Sequence, residues 1–431
     1  MYYPVYVFVT KFKVVCTNIT AQEAIQVDIK KLQIGVWLVF FLLLVSGCSR
    51  GQPAEPVKVE DSGSDLQQYV DHLLVGLVSD FIPGVSVYVE TPNGGYAASA
   101  GYADLDTLST MTGESRIPNG SAGKKLVGLL AAILDDKQLL SLDEPVLPWV
   151  PEDMAGRIQH LEFMTLRQLL NHSAGIVEYN DVGELDFIRA QLADKVHRKG
   201  NRFALQFVLD QSPYFEPGEG FAYSNSGYVL AGMVIENKLK QPLGRLLHEH
   251  VLEPLGLTET FVKGHDSAAD DVASGYFFNM DEPDFVLPYR QRYNTKQLIV
   301  NTALADAPIA ASARDMAKLL KAIIVKVQPV NERIYRNMVG EESLHTARWL
   351  PSFMDGALYY GLGVMVEKHE DGVLYHHGGN EFGYITQSVY LAEQDVAIGL
   401  IANCGAQDEC DEPVIALTQA LIARFTANNS D

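Results

Sequence analysis

The sequence predicts an α+β protein: an antiparallel sheet assembled from both ends of the chain, flanked by helices, with a mostly helical part inserted between. Three observations predict it. Strand-like stretches occur early, in "GVSVYVETPNGGYAASAGYADL", and again late, in "YYGLGVMVEK", "GVLYHHGG", "YITQSVYLA" and "VAIGLIANC". Helical apolar spacing dominates the long middle between them. A hydrophobic fraction of 47% over 431 residues is enough to bury a sizeable core, and the length suits about two domains.

The first residues stand apart from that core. Lys30 and Lys31 precede the apolar run "IGVWLVFFLLLV", and "VSGCS" follows, the pattern of a charged region, a hydrophobic region and small residues at a cleavage point. The run is short for a membrane-spanning helix. Val45, Ser46, Gly47 and Cys48 resemble a bacterial lipobox, which implies that Cys48 is lipidated and that the mature protein is exported and tethered to a membrane facing the periplasm. Ser49 beside it resembles the pattern of lipoproteins sent to an outer membrane. Residues 1–48 are therefore read as a signal segment, with 1–29 an overlong start, and an uncleaved single-pass anchor is the alternative. Residues 49–65 are polar and aperiodic and read as a tether.

From there the elements follow in order. Leu66 to Val78 has helical spacing, and the first strand pair turns at Asn93 to Gly95. A helix opens near Ser121, the helical part runs over 142–351, the late strands follow, and an amphipathic helix from Glu412 to Phe425 closes the chain. The catalytic domain is thus expected over 66–431, its α/β part from 66–141 and 352–431. No internal repeat is found. With 33 basic against 54 acidic residues and a net charge of −21, the chain has no positive reservoir for binding nucleic acid. Besides Cys16 and Cys48 there are only Cys404 and Cys410, in "CGAQDEC", which could close a small disulfide in an oxidising compartment; free thiols or a modest metal site are the alternatives.

Three stretches carry chemistry. In "RIPNGSAGKKLVGLLAAIL", Asn119, Gly120 and Ser121 read as capping residues and are followed by two lysines in the first helical turn, where the helix dipole opposes them. Ser121 and Lys124, three apart on one helix, share a face, the spacing of a nucleophile and its base. The N–H of Ser121 is disposed to receive an oxyanion. Lys125, turned about 100° away, is expected in solvent. In "FAYSNSGY", Tyr223 and Asn225 point one way if extended. In "YHHGGNEFGY", His376 and Gly378 alternate along a strand, and the Gly379 N–H is a candidate second oxyanion donor. The chain has no G-x-S-x-G, and "GSAGKK" does not meet the spacing of a phosphate-binding loop. The histidines of "HEH", His248 and His250, look like ordinary polar-face residues rather than metal ligands.

Together, Ser-x-x-Lys, Tyr-x-Asn and His-x-Gly in this order resemble the serine β-lactamase and penicillin-binding-protein superfamily, most closely its class C-like branch of β-lactamase-related hydrolases. "MTLRQLLNHSAGI", "FEPGEGFAYSNSGYVLAGMVIE", "LEPLGLTETF" and "YGLGV" are similar to the connecting sequence of that branch. The resemblance implies a β-lactamase/transpeptidase-like fold and no metal or organic cofactor. It implies Ser121 as the acylated nucleophile, Lys124 as its proton partner, a partly ionised Tyr223 as proton relay, Asn225 holding substrate or Lys124, His376 in the acyl pocket with His377 and Gly378, and an oxyanion hole of Ser121 and Gly379. Histidine replaces the lysine of a true β-lactamase, so an esterase or D-amino-acid peptidase acting on small-molecule or peptide substrates is expected first. A D,D-carboxypeptidase or β-lactamase comes next, and an inactive binding protein last.

Overall fold

The computed structural model describes residues 63–426, apart from 183–184, 268–270, 280–286, 288–289, 341–352, 354–356 and 370–371. The signal segment, its lipobox with Cys48, and most of the tether lie outside the described residues. Among the described residues no helix is long and apolar enough to cross a membrane.

The α+β expectation holds. Among the described residues nine strands form one sheet: β1 (Gly84–Thr91), β2 (Gly94–Asp104), β3 (Ser109–Thr110), β4 (Ala357–Tyr360), β5 (Met365–His369), β6 (Gly372–His376), β7 (Gly379–Glu381), β8 (Tyr384–Leu391) and β9 (Val396–Ala402). Their order is β3-β2-β1-β9-β8-β6-β5-β4, all neighbours antiparallel, with β7 also paired to β8. The first and last parts of the chain meet at the centre, where Val85 of β1 stands opposite Ala402 of β9.

Both faces are covered, which is why the central strands read as continuous apolar runs rather than alternating ones. On one face Val85, Val87 and Val89 pack with Leu66, Val70 and Leu74 of helix α1 (Gly63–Leu77), and with Val414 and Leu421 of the closing helix, which runs Asp408–Thr426. On the other lies the larger core around helix α2 (Lys124–Asp136). The helix Ala313–Ile324, assigned by sequence to the inserted helical part, lies on this second face: Ser388 Oγ of β8 donates to Met316 O, and Gly399 of β9 lies against Ala313. Helix α2 has no solvent face. Every residue from Lys124 to Asp135 is buried, because α2 runs between the sheet and the inserted helices.

Candidate active site

Ser121 does not begin an α-helix. Gly120–Gly123 forms a 3₁₀ turn that leads into α2 at Lys124, and Asn119 makes no capping bond to it. In a 3₁₀ turn residues three apart eclipse, so Lys124 stands directly over Ser121. Gly120 takes φ +50, a left-handed conformation that glycine adopts without strain, and a Cβ there would come within 3.0 Å of Asn380 N.

Lys124, wholly buried, has three polar neighbours: its Nζ lies 2.9 Å from Ser121 Oγ, 2.6 Å from Asn225 Oδ1 and 3.0 Å from the backbone oxygen of Asp306. Asn225 is the first residue of a helix (Asn225–Leu239) whose N-cap, Ser224, is extended, so Asn225 is helical and does not alternate with Tyr223 along a strand; both still reach the lysine. Glu178 fixes the amide, accepting from Asn225 Nδ2 at 3.1 Å and from the backbone N–H groups of Asn225 and Ser226. Burial pushes the Glu178 carboxyl up to about 7, against the hydrogen bond from Asn225. The Tyr223 ring stacks on His172 at 4.2 Å and lies 5.3 Å from Lys124 Nζ. Burial raises the Tyr223 pKa, and the pull of Lys124 and Ser121 only partly offsets it. The phenol is therefore protonated at neutral pH, and the partly ionised tyrosine expected from sequence is corrected.

The histidine pair needs a correction too. His377 N–H bonds to Ser388 O at 3.0 Å, and Gly379 stands opposite Thr386, so odd-numbered residues exchange hydrogen bonds with β8. A Cβ on Gly379 would strike Asn119 O at 1.9 Å and Ala122 N at 2.7 Å, so this face of the strand looks onto the Ser121 turn. His377, two residues earlier, shares that face; its ring centre is 6.5 Å from that of Tyr223. His376 points to the other face, where it packs on Phe353 with Nε2 3.6 Å from Glu367 Oε2. A shift of one residue reverses the face, and the assignment of His376 to the acyl pocket fails for that reason. The same parity decides which N–H is free to face the cleft: Gly379, the expected oxyanion donor, pairs with β8 and is buried under Asn119, whereas the Asn380 N–H points away from β8 and Asn380 lines the cleft beside Ser121. Gly378 lies against Gln387 instead.

His377 is held as one neutral tautomer. Its Nδ1 lies 2.6 Å from Gly378 O, which can only accept, so Nδ1 carries the proton and Nε2 accepts from Tyr360 O–H at 2.8 Å. Burial, then Lys125 and Lys124, drive its pKa well below the ordinary value; burial takes His376 down to about 4.

Lys125 is not in solvent. It is fully buried, burial brings its pKa down to about 7, and its Nζ has no hydrogen-bond partner among the described residues. Sequence reasoning also missed Glu178, Asp306, Tyr360 and Asn380. Strand parity could have found Asn380; no local pattern marks the other three. Cys404 and Cys410 form a disulfide, and its loop braces the cleft: Ala406 N–H donates to Asn380 Oδ1 at 2.7 Å. His248, His265 and Asp266 offer ligand atoms within 4.8 Å of one another, and none of the three lines the Ser121 cleft.

A profile of the Beta-lactamase family matches residues 66–420. The chain belongs to that family. Penicillin-binding protein 4* of Bacillus subtilis (strain 168) is 21% identical over 335 residues, covering 76% of this chain and 69% of that protein. Protein flp of Staphylococcus aureus (strain MRSA252) is 27% identical over 56% of this chain, which spans about half of that relative, 48%. Among solved structures, D-amino acid amidase from Ochrobactrum anthropi SV3 complexed with D-phenylalanine superposes with a TM-score of 0.69 at 22% identity, over 85% of this chain and all of the other, 100%. The octameric penicillin-binding protein homologue from Pyrococcus abyssi gives 0.64 at 22%, over 84% of this chain and 77% of that one. The fold is β-lactamase/transpeptidase-like.

Proposed function

We propose that this protein is a serine hydrolase that forms an acyl-enzyme at Ser121 from ester or peptide-amide substrates. One observation carries the reading: the three neighbours of Lys124 Nζ. Asn225 Oδ1 and Asp306 O can only accept hydrogen bonds, so they hold two of the Nζ hydrogens and fix the remaining position of the nitrogen on the Ser121 hydroxyl. Lys124 therefore takes the serine proton as Oγ bonds to the substrate carbonyl carbon. The N–H groups of Ser121 and Asn380 hold the oxyanion. Tyr223, a protonated phenol beside both residues, passes a proton to the leaving group and is recharged from Lys124. A water then attacks the ester, its proton returns through the same pair, and Ser121 leaves as the hydroxyl.

His377 supports esters and amides over β-lactams. A neutral imidazole occupies the place of the cation that would hold a penicillin carboxylate, and such a charge-assisted contact is worth about 1.5–3 kcal/mol. Labelling with a fluorescent fluorophosphonate tests the reading, and Ser121→Ala is expected to abolish both labelling and turnover, the latter by about 10³-fold or more. Turnover within tenfold of the parent would refute the nucleophile, and strong labelling by a fluorescent penicillin would put a D,D-peptidase or β-lactamase first. Export as a lipoprotein through Cys48, with an outer-membrane destination, rests on the lipobox resemblance. Cys48→Ser should move the protein from membranes to the soluble fraction, and unchanged pelleting would favour an uncleaved anchor.

A further inference from the structure

The two histidines of "HEH" part company in the structure. They sit in a π turn, His248–Leu252, inside the helical run Leu243–Leu255, and a single turn of this kind often marks a functional site. His250 Nδ1 lies 3.1 Å from Lys137 Nζ, an ordinary polar contact. His248 instead faces the turn that follows the strand Thr260–Val262. Its Nε2 is 3.0 Å and 2.9 Å from the two oxygens of Asp266, and the centre of the His265 ring is 5.6 Å from that of its own. One ligand atom from each of His248, His265 and Asp266 lies within 4.8 Å of the other two.

The donors are held in place from outside the cluster. Asp266 Oδ2 accepts from Val262 N–H at 2.8 Å, and the N–H groups of His265 and Asp266 return to Val262 O at 3.1 and 3.0 Å, an outer partner of the kind that orients a ligating carboxylate. His265 rests on Gly244, one turn before His248: a Cβ on Gly244 would come within 2.3 Å of the His265 Cβ, so glycine lets the second histidine stand beside the first. An ion pair accounts for His248 with Asp266 and leaves the placing of His265 unexplained. Two imidazoles and a carboxylate are a donor set for zinc with one position left to water, and at bonds of about 2.0–2.2 Å tetrahedral ligand atoms stand about 3.3–3.5 Å apart. The His248 and Asp266 atoms are already near that separation, and rotation of the exposed His265 ring closes the rest. We propose that His248, His265 and Asp266 bind a divalent transition metal ion, zinc first. The ion takes the place of the proton between His248 Nε2 and Asp266, which leaves to solvent. Its role is structural: the strand Thr260–Val262 pairs with Ile309–Ala311, which pairs in turn with Ile117–Pro118, so the ion pins the far edge of the small sheet from which the Ser121 turn starts.

The test uses the full chain in detergent and reads binding without any turnover. Metal is stripped with a chelator that is then removed, and zinc ions are titrated in at about pH 7.5, where histidine is neutral, against a chromophoric competitor. One site with a Kd of about 10 μM or tighter is expected, weakened at least tenfold in His265→Ala and in Asp266→Asn. His197→Ala is the control, because His197 and Asp194 form an exposed pair, 2.9 Å apart, that belongs to no cluster of three among the described residues. It should leave the Kd unchanged. His265 is exposed, so its loss spares the fold. Zinc should also raise the melting temperature of the parent and of His197→Ala, and not that of His265→Ala. A parent Kd weaker than about 10 μM overturns the site, and so does binding that survives in His265→Ala and Asp266→Asn or falls as far in His197→Ala.

Discussion

Lys124 and Lys125 are chain neighbours, and both are wholly buried at the start of the same helix. Lys124 meets three oxygens at its tip, whereas Lys125 Nζ meets none among the described residues. The histidines repeat the contrast on the sheet: His377 is bonded at both ring nitrogens, and His376 Nε2 has no hydrogen-bond partner among the described residues. One residue of each pair is held in a single orientation by acceptors whose own positions are fixed, and the other is only enclosed. Burial alone thus does not tell the two residues of each pair apart; saturation of their polar atoms does.

The sharpest way to break the comparison is to remove each lysine in turn. Lys124→Met is expected to slow acylation of Ser121 by about 10³-fold or more, and Lys125→Met to leave it within tenfold, measured as the second-order rate of fluorophosphonate labelling. Equal losses would mean that Lys125 acts through the site. Next come the histidines: His377→Ala removes the anchor of Tyr360 beside Tyr223 and should lower kcat/KM about tenfold to a hundredfold. His376→Ala should change it by less than threefold.

Stability should move the opposite way from activity. Lys125 has its pKa lowered by burial from 10.5 to about 7, so the folded chain resists the proton that the unfolded chain binds. That cost is complete below about pH 7 and fades as pH rises towards 10.5. Lys125→Met should therefore raise stability by about 2–5 kcal/mol at pH 6, and by much less at pH 10, in denaturant melts. A destabilised variant at pH 6 would show that the ammonium has a favourable role. The smallest effect concerns His377. Because its pKa lies well below the ordinary histidine value, the ratio of kcat/KM for a carboxylate substrate to that for its methyl ester should stay flat from pH 8 to pH 6. A rise near pH 6.5 would restore a titrating imidazole.

What could be read from the sequence divides along similar lines. Ser121, Lys124, Tyr223 and Asn225 were legible because each pair is close in sequence and its spacing sets its geometry. The strands at both ends were legible from composition and turns. The faces of the "YHHGGN" strand were not, since two adjacent histidines and two adjacent glycines fit either parity, and only pairing with β8 decides it. Lys125 was misread because an exposed flank was assumed for a helix that has none. Glu178 and Asp306 reach the site through long loops, where contact is set by tertiary packing and leaves no periodic trace.

The pairing of β1 with β9 also has a consequence for how the protein is made. Val85 must wait for Ala402, so on the ribosome the apolar strand β1 leaves the exit tunnel long before its central neighbour exists. At about 5–20 residues per second that wait lasts roughly 15–60 s. Only the β2 hairpin can shield β1 in the meantime, and on one edge alone. The nascent chain therefore lacks the central partner of β1 through most of the synthesis of these residues, and Ser121 cannot meet Asn380 until the late strands have been made.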